Sequence, residues 1–281
     1  MINTKDTRLG FVGGGKMVEC ILKGMLRGGA VEAKRVFVTD VAPKRLDYLR
    51  ERYGVHAVAA QNGEGYDRIA RECTAVVLGV PPQAADDALA ALRPRLTPAH
   101  TLITIMGGMP CAFVEERLPG VPVVRIMPNV PMEVAAGVAG LVPGKDAAPD
   151  RVELVTALFR AVGLVVPMDE SNMDALTAIS GCGPAFLGVL AQAMADAGVQ
   201  LGLPRETAEA LAAQTLVGTG RMILEERLQP EALKDSVCTS GGSTIAGVYA
   251  LERHGFRFAI GDAMLQAYSR MRGIAREEEN K

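Results

Sequence analysis

Three observations predict an α/β chain in which a doubly wound, Rossmann-like parallel sheet is followed by an all-helical domain. The first is a rhythm of short apolar runs alternating with helical patterns up to about Pro167. The second is a glycine-rich turn, Gly13-Gly14-Gly15, between the first apolar run and the first helix. The third is the loss of strand runs after Pro167, where long Ala- and Leu-rich helical patterns take over. The boundary is placed there, giving domains 1–167 and 168–281.

The first run is Arg8 to Val12, and the helix after the glycines reaches about Arg27. Gly13 permits the tight turn, and Gly15 lets a pyrophosphate approach the backbone at the helix N-terminus. The third small position of that pattern is held by Val18, which is bulkier than the motif requires, so an ordinary tight turn is the competing reading. A second run, Arg35 to Thr39, ends at Asp40. Asp40 stands about twenty residues past the glycine loop, where an acidic residue meets ribose hydroxyls. A helix N-cap is the alternative for the same residue, and Lys44 and Arg45 nearby could instead face a 2′-phosphate.

Further runs are Thr74 to Val80, Thr101 to Ile105, Val121 to Ile126, Val138 to Val142 and Leu164 to Val166. Helices are expected over Gln83 to Leu92, near Cys111 to Leu118, and over Asp150 to Ala161. The breaks at Gly13-Gly15, Pro81-Pro82, Met106-Gly108 and Met127-Asn129 all fall at the carboxyl ends of strands. In a parallel sheet those ends ring one crevice, and a dinucleotide is the ligand such a crevice takes.

In the second half, helices are expected over Asn172 to Ile179, Pro184 to Leu201, Arg205 to Glu226, Glu231 to Cys238, Thr244 to His254 and Arg257 to Arg276. Ala208 to Gly220 is rich in small residues, which suits close packing in an interwoven dimer. The stretch Thr239-Ser240-Gly241-Gly242-Ser243 breaks one helix and opens the next. Unpaired N–H groups, short hydroxyls and the helix dipole suit a carboxylate or phosphate there. A capped turn between packed helices is the plain alternative.

Composition narrows the classes. A net charge of −2 gives no basic footprint for nucleic acid. The five cysteines are isolated and odd in number, which fits reduced thiols in a cytoplasm. The three histidines are isolated too, so no metal site is expected. The N-terminus is too polar for a signal peptide. No apolar run approaching ~18 residues was expected, so no membrane span either.

The segments GFVGGGKM (10–17), VVRIMPNVP (123–131), SGCGPAF (180–186), GVQLGLPRETA (198–208), QTLVGTGRM (214–222) and LKDSVCTSGGSTIAGVYALE (233–252) resemble the pyrroline-5-carboxylate reductases nearly end to end. The helical segments are the more specific ones. The resemblance implies an NADPH- or NADH-dependent enzyme of proline synthesis. It implies a homodimer built through the helical domain, in some relatives gathered into larger rings, with substrate between cofactor and helical domain. By resemblance Thr244 is the catalytic hydroxyl that touches the ring nitrogen. The backbone of Gly242 and Ser243 holds the substrate carboxylate, and Ser236 and Glu170 fall on substrate positions. Gly13, Gly15, Lys16, Met17, Asp40, Asn62, Val80, Pro81, Pro82, Met106 and Gly107 fall on cofactor positions, and Asn129 on the turn beside the nicotinamide. The chain departs from the family pattern at Pro81 (usually Lys), Ser240 (usually Pro), Met106 (usually Ala) and Val18 (usually small).

The chemistry needs little more. An alcohol dehydrogenase needs a general base for the hydroxyl proton. A protonated cyclic imine already accepts hydride at carbon, so the protein supplies position and electrostatics. Competing readings are a paralogue acting on the six-membered piperideine ring and a non-catalytic dinucleotide-binding relative. A 3-hydroxyacid dehydrogenase of similar build would carry an inward Lys after the sheet domain, and no Lys occurs between Pro167 and Gln200.

Overall fold

The computed structural model describes residues 4–279, with side chains to residue 272. The chain divides into two compact units. One runs to Gly181 and also takes in the chain from Tyr268; the other is Cys182–Ala267.

Among the described residues of the first unit, eight strands form one sheet, in the order β3-β2-β1-β4-β5-β6-β7-β8. They are β1 (Leu9–Val12), β2 (Val36–Asp40), β3 (His56–Ala59), β4 (Ala75–Leu78), β5 (Thr101–Thr104), β6 (Val123–Met127), β7 (Gly137–Pro143) and β8 (Gly163–Pro167). The first six pair in parallel, in the mononucleotide-binding order around β1. The reversal between β1 and β4 opens the crevice at their carboxyl ends.

Helices cover both faces. α1 (Lys16–Arg27), α2 (Pro43–Tyr53) and α6 (Pro149–Arg160) bury Ile21, Leu22, Met25, Leu49, Leu158 and Phe159 against one face. α3 (Glu64–Glu72), α4 (Ala85–Leu92) and α5 (Cys111–Arg117) bury Ile69, Leu89, Leu92 and Val114 against the other. Strands covered on both sides are apolar throughout, as the burial of β1 and β4 shows.

Two features correct the sequence reading. β3, with the sequence HAVA, was not expected: it is a half-buried edge strand without a continuous apolar run. The last two strands were expected to extend a wholly parallel sheet. Instead β7 runs antiparallel to β6, with Met127 opposite Gly140, and β8 pairs parallel to β7 across α6. The link from β6 to β7 is a single 3-10 turn, Val130–Val134, too short for a parallel crossover.

After β8, the backbone forms α7 (Met173–Leu176) and one π-helical turn, Thr177–Gly181, in place of the uninterrupted helix expected over 172–179. Met173 and Leu176 are buried, and a Cβ on Gly140 would stand 2.9–3.0 Å from their side chains. This packing carries the first compact unit past the last strand.

The second unit begins with an α-helical hairpin, α8 (Gly183–Gln200) and α9 (Arg205–Glu225). They touch closely, since a Cβ on Gly198 would lie 2.9 Å from the Cβ of Ala208. α10 (Pro230–Ser236) and α11 (Ser243–Arg253) follow, and α12 (Phe256–Glu279) begins in this unit and leaves it after Ala267. Many large apolar side chains in these helices are open to solvent in the single chain, including Val189, Leu201, Leu224 and Tyr249, which are 69–85% exposed. The stretch Glu170–Gln200 is, by length and composition alone, long and apolar enough to cross a membrane. That corrects the expectation of no such run. The sequence hides it because Ala, Gly, Ser and Thr replace the usual Leu and Val, while residues 175–195 carry no charge.

Candidate active site

The glycine loop leaves β1 through Gly13, whose φ of 92° lies in the left-handed region. A Cβ there would also strike the Gly79 carbonyl oxygen at 2.7 Å, so only glycine fits. Gly15 is the N-cap of α1, and no atom lies within 4 Å of where its Cβ would stand. No side chain caps α1. Its first-turn N–H groups and dipole therefore face open space, which is the arrangement that receives a pyrophosphate.

Beside the loop lies a cavity of about 330 Å³. Gly13, Gly15, Asp40, Val80 and Pro81 line it, as do Thr39, Tyr66 and Asp87. Asp40 is not the N-cap of α2, which is Ala42 and carries no side-chain cap. The Asp40 Oδ2 accepts the Gly14 N–H at 2.6 Å and its Oδ1 accepts the Ala42 N–H at 2.8 Å. One carboxylate thus clasps the glycine loop to the approach to α2. A carboxylate has about four acceptor positions, so two remain toward the cavity for ribose hydroxyls. Burial, followed by the charges of Asp40 and Asp87, pushes the Tyr66 phenol up. The Thr39 hydroxyl is buried without a hydrogen-bond partner and packs against Gly65 of α3, where a Cβ would lie 1.9 Å from its oxygen.

Arg45 faces the glycine loop: its Nε donates to the Gly14 carbonyl, and its Nη2 to Glu19 at 2.6 Å. Tyr48 and Tyr53 donate to the same carboxylate at 2.9 and 2.8 Å. Burial opposes ionisation of Glu19, yet these three donors hold it below the usual carboxylate range. Lys44 is exposed.

Lys16 and Met17 belong to the first turn of α1. Met17 packs into the core, while Lys16 reaches Glu133 at 3.3 Å. Asn62, in left-handed conformation with φ 57°, lies in the turn after β3. Pro82 opens the 3-10 turn before α4. Met106 is buried in the core at the end of β5, and Gly107 is exposed beside it. None of these seven, counting Asn129, lines the cavity. Asn129 is 5% exposed and engaged at both ends: its Nδ2 donates to the Ser180 carbonyl at 2.9 Å, and its Oδ1 accepts the Val138 N–H at 2.8 Å. It stitches the end of β6 to β7 and to the π-helical turn.

Glu170 is likewise engaged. One oxygen accepts the Cys111 N–H at 3.0 Å at the start of α5, and the other pairs with Arg125 on β6. Arg125 is buried, and its Nε has no partner. Burial pushes the neighbouring Cys111 thiol up to about 12, which leaves it inert at neutral pH.

In the second unit, α10 ends at Ser236, whose hydroxyl donates to the Leu233 carbonyl at 2.7 Å. The chain turns through Gly241, at φ 68°, to Gly242, the N-cap of α11. A Cβ on Gly242 would meet the Thr239 hydroxyl at 2.3 Å. Ser243 and Thr244 are the first two residues of α11, both exposed and with no side-chain cap over them. The Gly242 N–H is taken by the Thr239 carbonyl at 3.0 Å, and beyond it the first turn of α11 offers N–H donors for a carboxylate beside a threonine hydroxyl that can accept from an adjacent N–H.

Residues 170–274 match the family model for pyrroline-5-carboxylate reductase dimerisation. Residues 8–108 match the model for the F420-dependent NADP oxidoreductases. A pyrroline-5-carboxylate reductase of Methanosarcina acetivorans is 35% identical, covering 97% of this chain and 100% of its own. Another, from Synechocystis, is 37% identical over 96% and 99%. The chain belongs to the pyrroline-5-carboxylate reductase family. Two solved reductases share its fold. The Coxiella burnetii protein has a TM-score of 0.84 at 32% identity, covering 95% of this chain and 98% of its own. The Plasmodium falciparum protein, solved with NADP bound, has a TM-score of 0.85 at 27% identity over 97% and 99%.

For a member of this reductase family, sequence reasoning missed several residues now visible around the crevice. Arg125 had a signal, a lone charge within the apolar run VVRIM. Thr39 had one too, standing directly before Asp40 at the end of the second run; Tyr66, Asp87 and Glu133 had none, because only the folded chain brings their elements to the glycine loop.

Proposed function

We propose that the chain reduces the cyclic imine 1-pyrroline-5-carboxylate to L-proline with NADPH or NADH. The near-full-length likeness to curated reductases of that name carries this reading. The open approach at Gly15 and the uncapped α1 fit a dinucleotide. Bound there, the reduced nicotinamide supplies the hydride. The residues assigned to holding the cofactor are Gly13, Gly15, Lys16, Met17, Asp40, Asn62, Val80, Pro81, Pro82, Met106, Gly107 and Asn129, all within residues 1–167.

Residues 168–281 are assigned to substrate and to dimer formation. The Ser243 N–H at the start of α11 holds the substrate carboxylate, where the dipole favours an anion, while the Gly242 N–H is spent on the Thr239 carbonyl at 3.0 Å and so shapes the turn instead. The Thr244 hydroxyl holds the hydrogen bond to the ring nitrogen, and Ser236 stands at the end of the preceding helix. No general base is required, because the protonated imine accepts hydride directly. Glu170 has both oxygens engaged by Cys111 and Arg125, so we read it as a brace for the end of β6 rather than a substrate contact. The exposed apolar helices of 182–267, together with the dimerisation-family match, support a homodimer. The five free thiols fit a cytoplasmic setting.

The test is a cofactor-oxidation assay that crosses NADPH and NADH with five- and six-membered cyclic imino acids. Turnover of pyrroline-5-carboxylate supports the reading. A kcat/KM at least tenfold higher for the six-membered ring would move the chain to a paralogous activity, which the Pro81 departure keeps in view.

A further inference from the structure

On α1, Lys16, Cys20 and Lys23 occupy positions i, i+4 and i+7, and so share one face. That face meets Glu133, from the 3-10 turn that links β6 to β7. The two carboxylate oxygens divide their work. Oε1 accepts Lys23 Nζ at 2.6 Å, while Oε2 takes Lys16 Nζ at 3.3 Å and the Cys20 thiol at 3.5 Å. The backbones beneath are in direct contact, since a Cβ on Gly24 would fall 2.0 Å from the Met132 carbonyl oxygen. Glu133 is therefore held in place by Lys23 and by packing, whatever Lys16 does.

Lys16 is the odd member. It is the first residue of α1, directly after Gly15, and its side chain is 68% exposed against 40% for Lys23. Its link to Glu133 is the longer of the two salt bridges. A solvent-exposed pair of this kind is weak. A pyrophosphate at the N-terminus of α1 would offer the same ammonium an anion of higher charge.

We infer that Glu133 is a competing counter-ion that lowers dinucleotide affinity by detaining Lys16, which exchanges from Glu133 to the cofactor pyrophosphate on binding. Lys23 and the Cys20 thiol keep the carboxylate satisfied after the exchange. The hydrogen bonds from Lys23, then Lys16, then Cys20 hold the Glu133 carboxyl down at about 2, so the competitor is charged at every working pH. The inference rests on the reading of the glycine loop as the pyrophosphate site. It assigns Glu133 a role through Lys16 and not by contact with substrate.

The sign of the effect separates this role from a structural one. A mere brace between α1 and the turn would, on removal, loosen the cofactor site and weaken binding. A competing counter-ion would, on removal, strengthen it. The experiment is NADPH titration by fluorescence on wild type, Glu133→Gln, Lys16→Met and the double variant. Glu133→Gln should tighten Kd by about two- to fivefold, the size of one exposed ion pair. Lys16→Met should weaken binding, and Glu133→Gln should have no further effect in that background. Should Glu133→Gln fail to fold, Glu133→Asp withdraws the carboxylate by one methylene and should shift Kd in the same direction, by less. Weaker or unchanged binding in the single variant, or the same tightening with and without Lys16, overturns the inference. If wild type binds NADPH and Glu133→Gln does not tighten it, only this inference falls. If wild type binds no NADPH, the pyrophosphate reading falls and takes this inference with it.

Discussion

Replacing Glu170 with Ala distinguishes the two parts that sequence and structure give this residue. The change strands the Arg125 guanidinium, whose side chain is 5% exposed and whose Nε already lacks a partner. It also strips the Cys111 N–H of its acceptor at the start of α5. Breaking a fully buried pair from one side costs roughly 3–5 kcal/mol. The Glu170 side chain is 34% exposed, so water reaches its end of the pair. That brings the expected loss down to about 2–4 kcal/mol. At about 3 °C per kcal/mol for a unit of this size, Tm should fall by roughly 6–12 °C. Scanning calorimetry or thermal circular dichroism reads this directly. Arg125→Met combined with Glu170→Ala should recover part of the loss, because no buried charge is then left alone. A Glu170→Ala protein with Tm within ~1 °C of wild type but with its turnover gone would rule out the brace and return Glu170 to the substrate.

Three further outcomes are expected. Thr244→Ala should fold as wild type and lose about ten- to a hundredfold in kcat/KM, the worth of one oriented hydrogen bond; activity within twofold of wild type removes Thr244 from the mechanism. NADH should serve at least as well as NADPH, because a 2′-phosphate beside Asp40 meets a like charge costing on the order of 1 kcal/mol. Asp40→Ser should shift the kcat/KM ratio toward NADPH and, by releasing the Gly14 clasp, raise KM for both; an unchanged ratio sinks that reading. Sedimentation at micromolar concentration should give a dimer or a multiple of it, since side chains such as Leu201 and Tyr249 are too exposed in a lone chain; a monomer contradicts this.

The fold was legible wherever a local pattern decides it. The run from Leu9 to Val12 followed by three glycines marks a strand, a turn and a helix without reference to anything distant. The α8–α9 hairpin follows from Pro184, Pro204 and two long Ala-rich periods. What stayed hidden depends on partners far away in the chain. Strand direction is one case: an apolar run reads the same either way, and β7 runs backward only because the turn holding Pro131 is short. Asp40 is another. Its position named a carboxylate at a strand end, but not that Gly14, 26 residues earlier, would occupy it. Glu133 and Lys16 are 117 residues apart, and no spacing rule joins them.

In the proposed reaction this chain delivers hydride from a nicotinamide to the imine carbon of pyrroline-5-carboxylate. The most direct measurement is turnover with reduced cofactor deuterated at the transferable position of the nicotinamide, followed by mass spectrometry of the product. The expected product is L-proline carrying one deuterium, at the former imine carbon, formed in step with cofactor oxidation. Cofactor oxidation without labelled proline, or no oxidation with this imine under either cofactor, would contradict it.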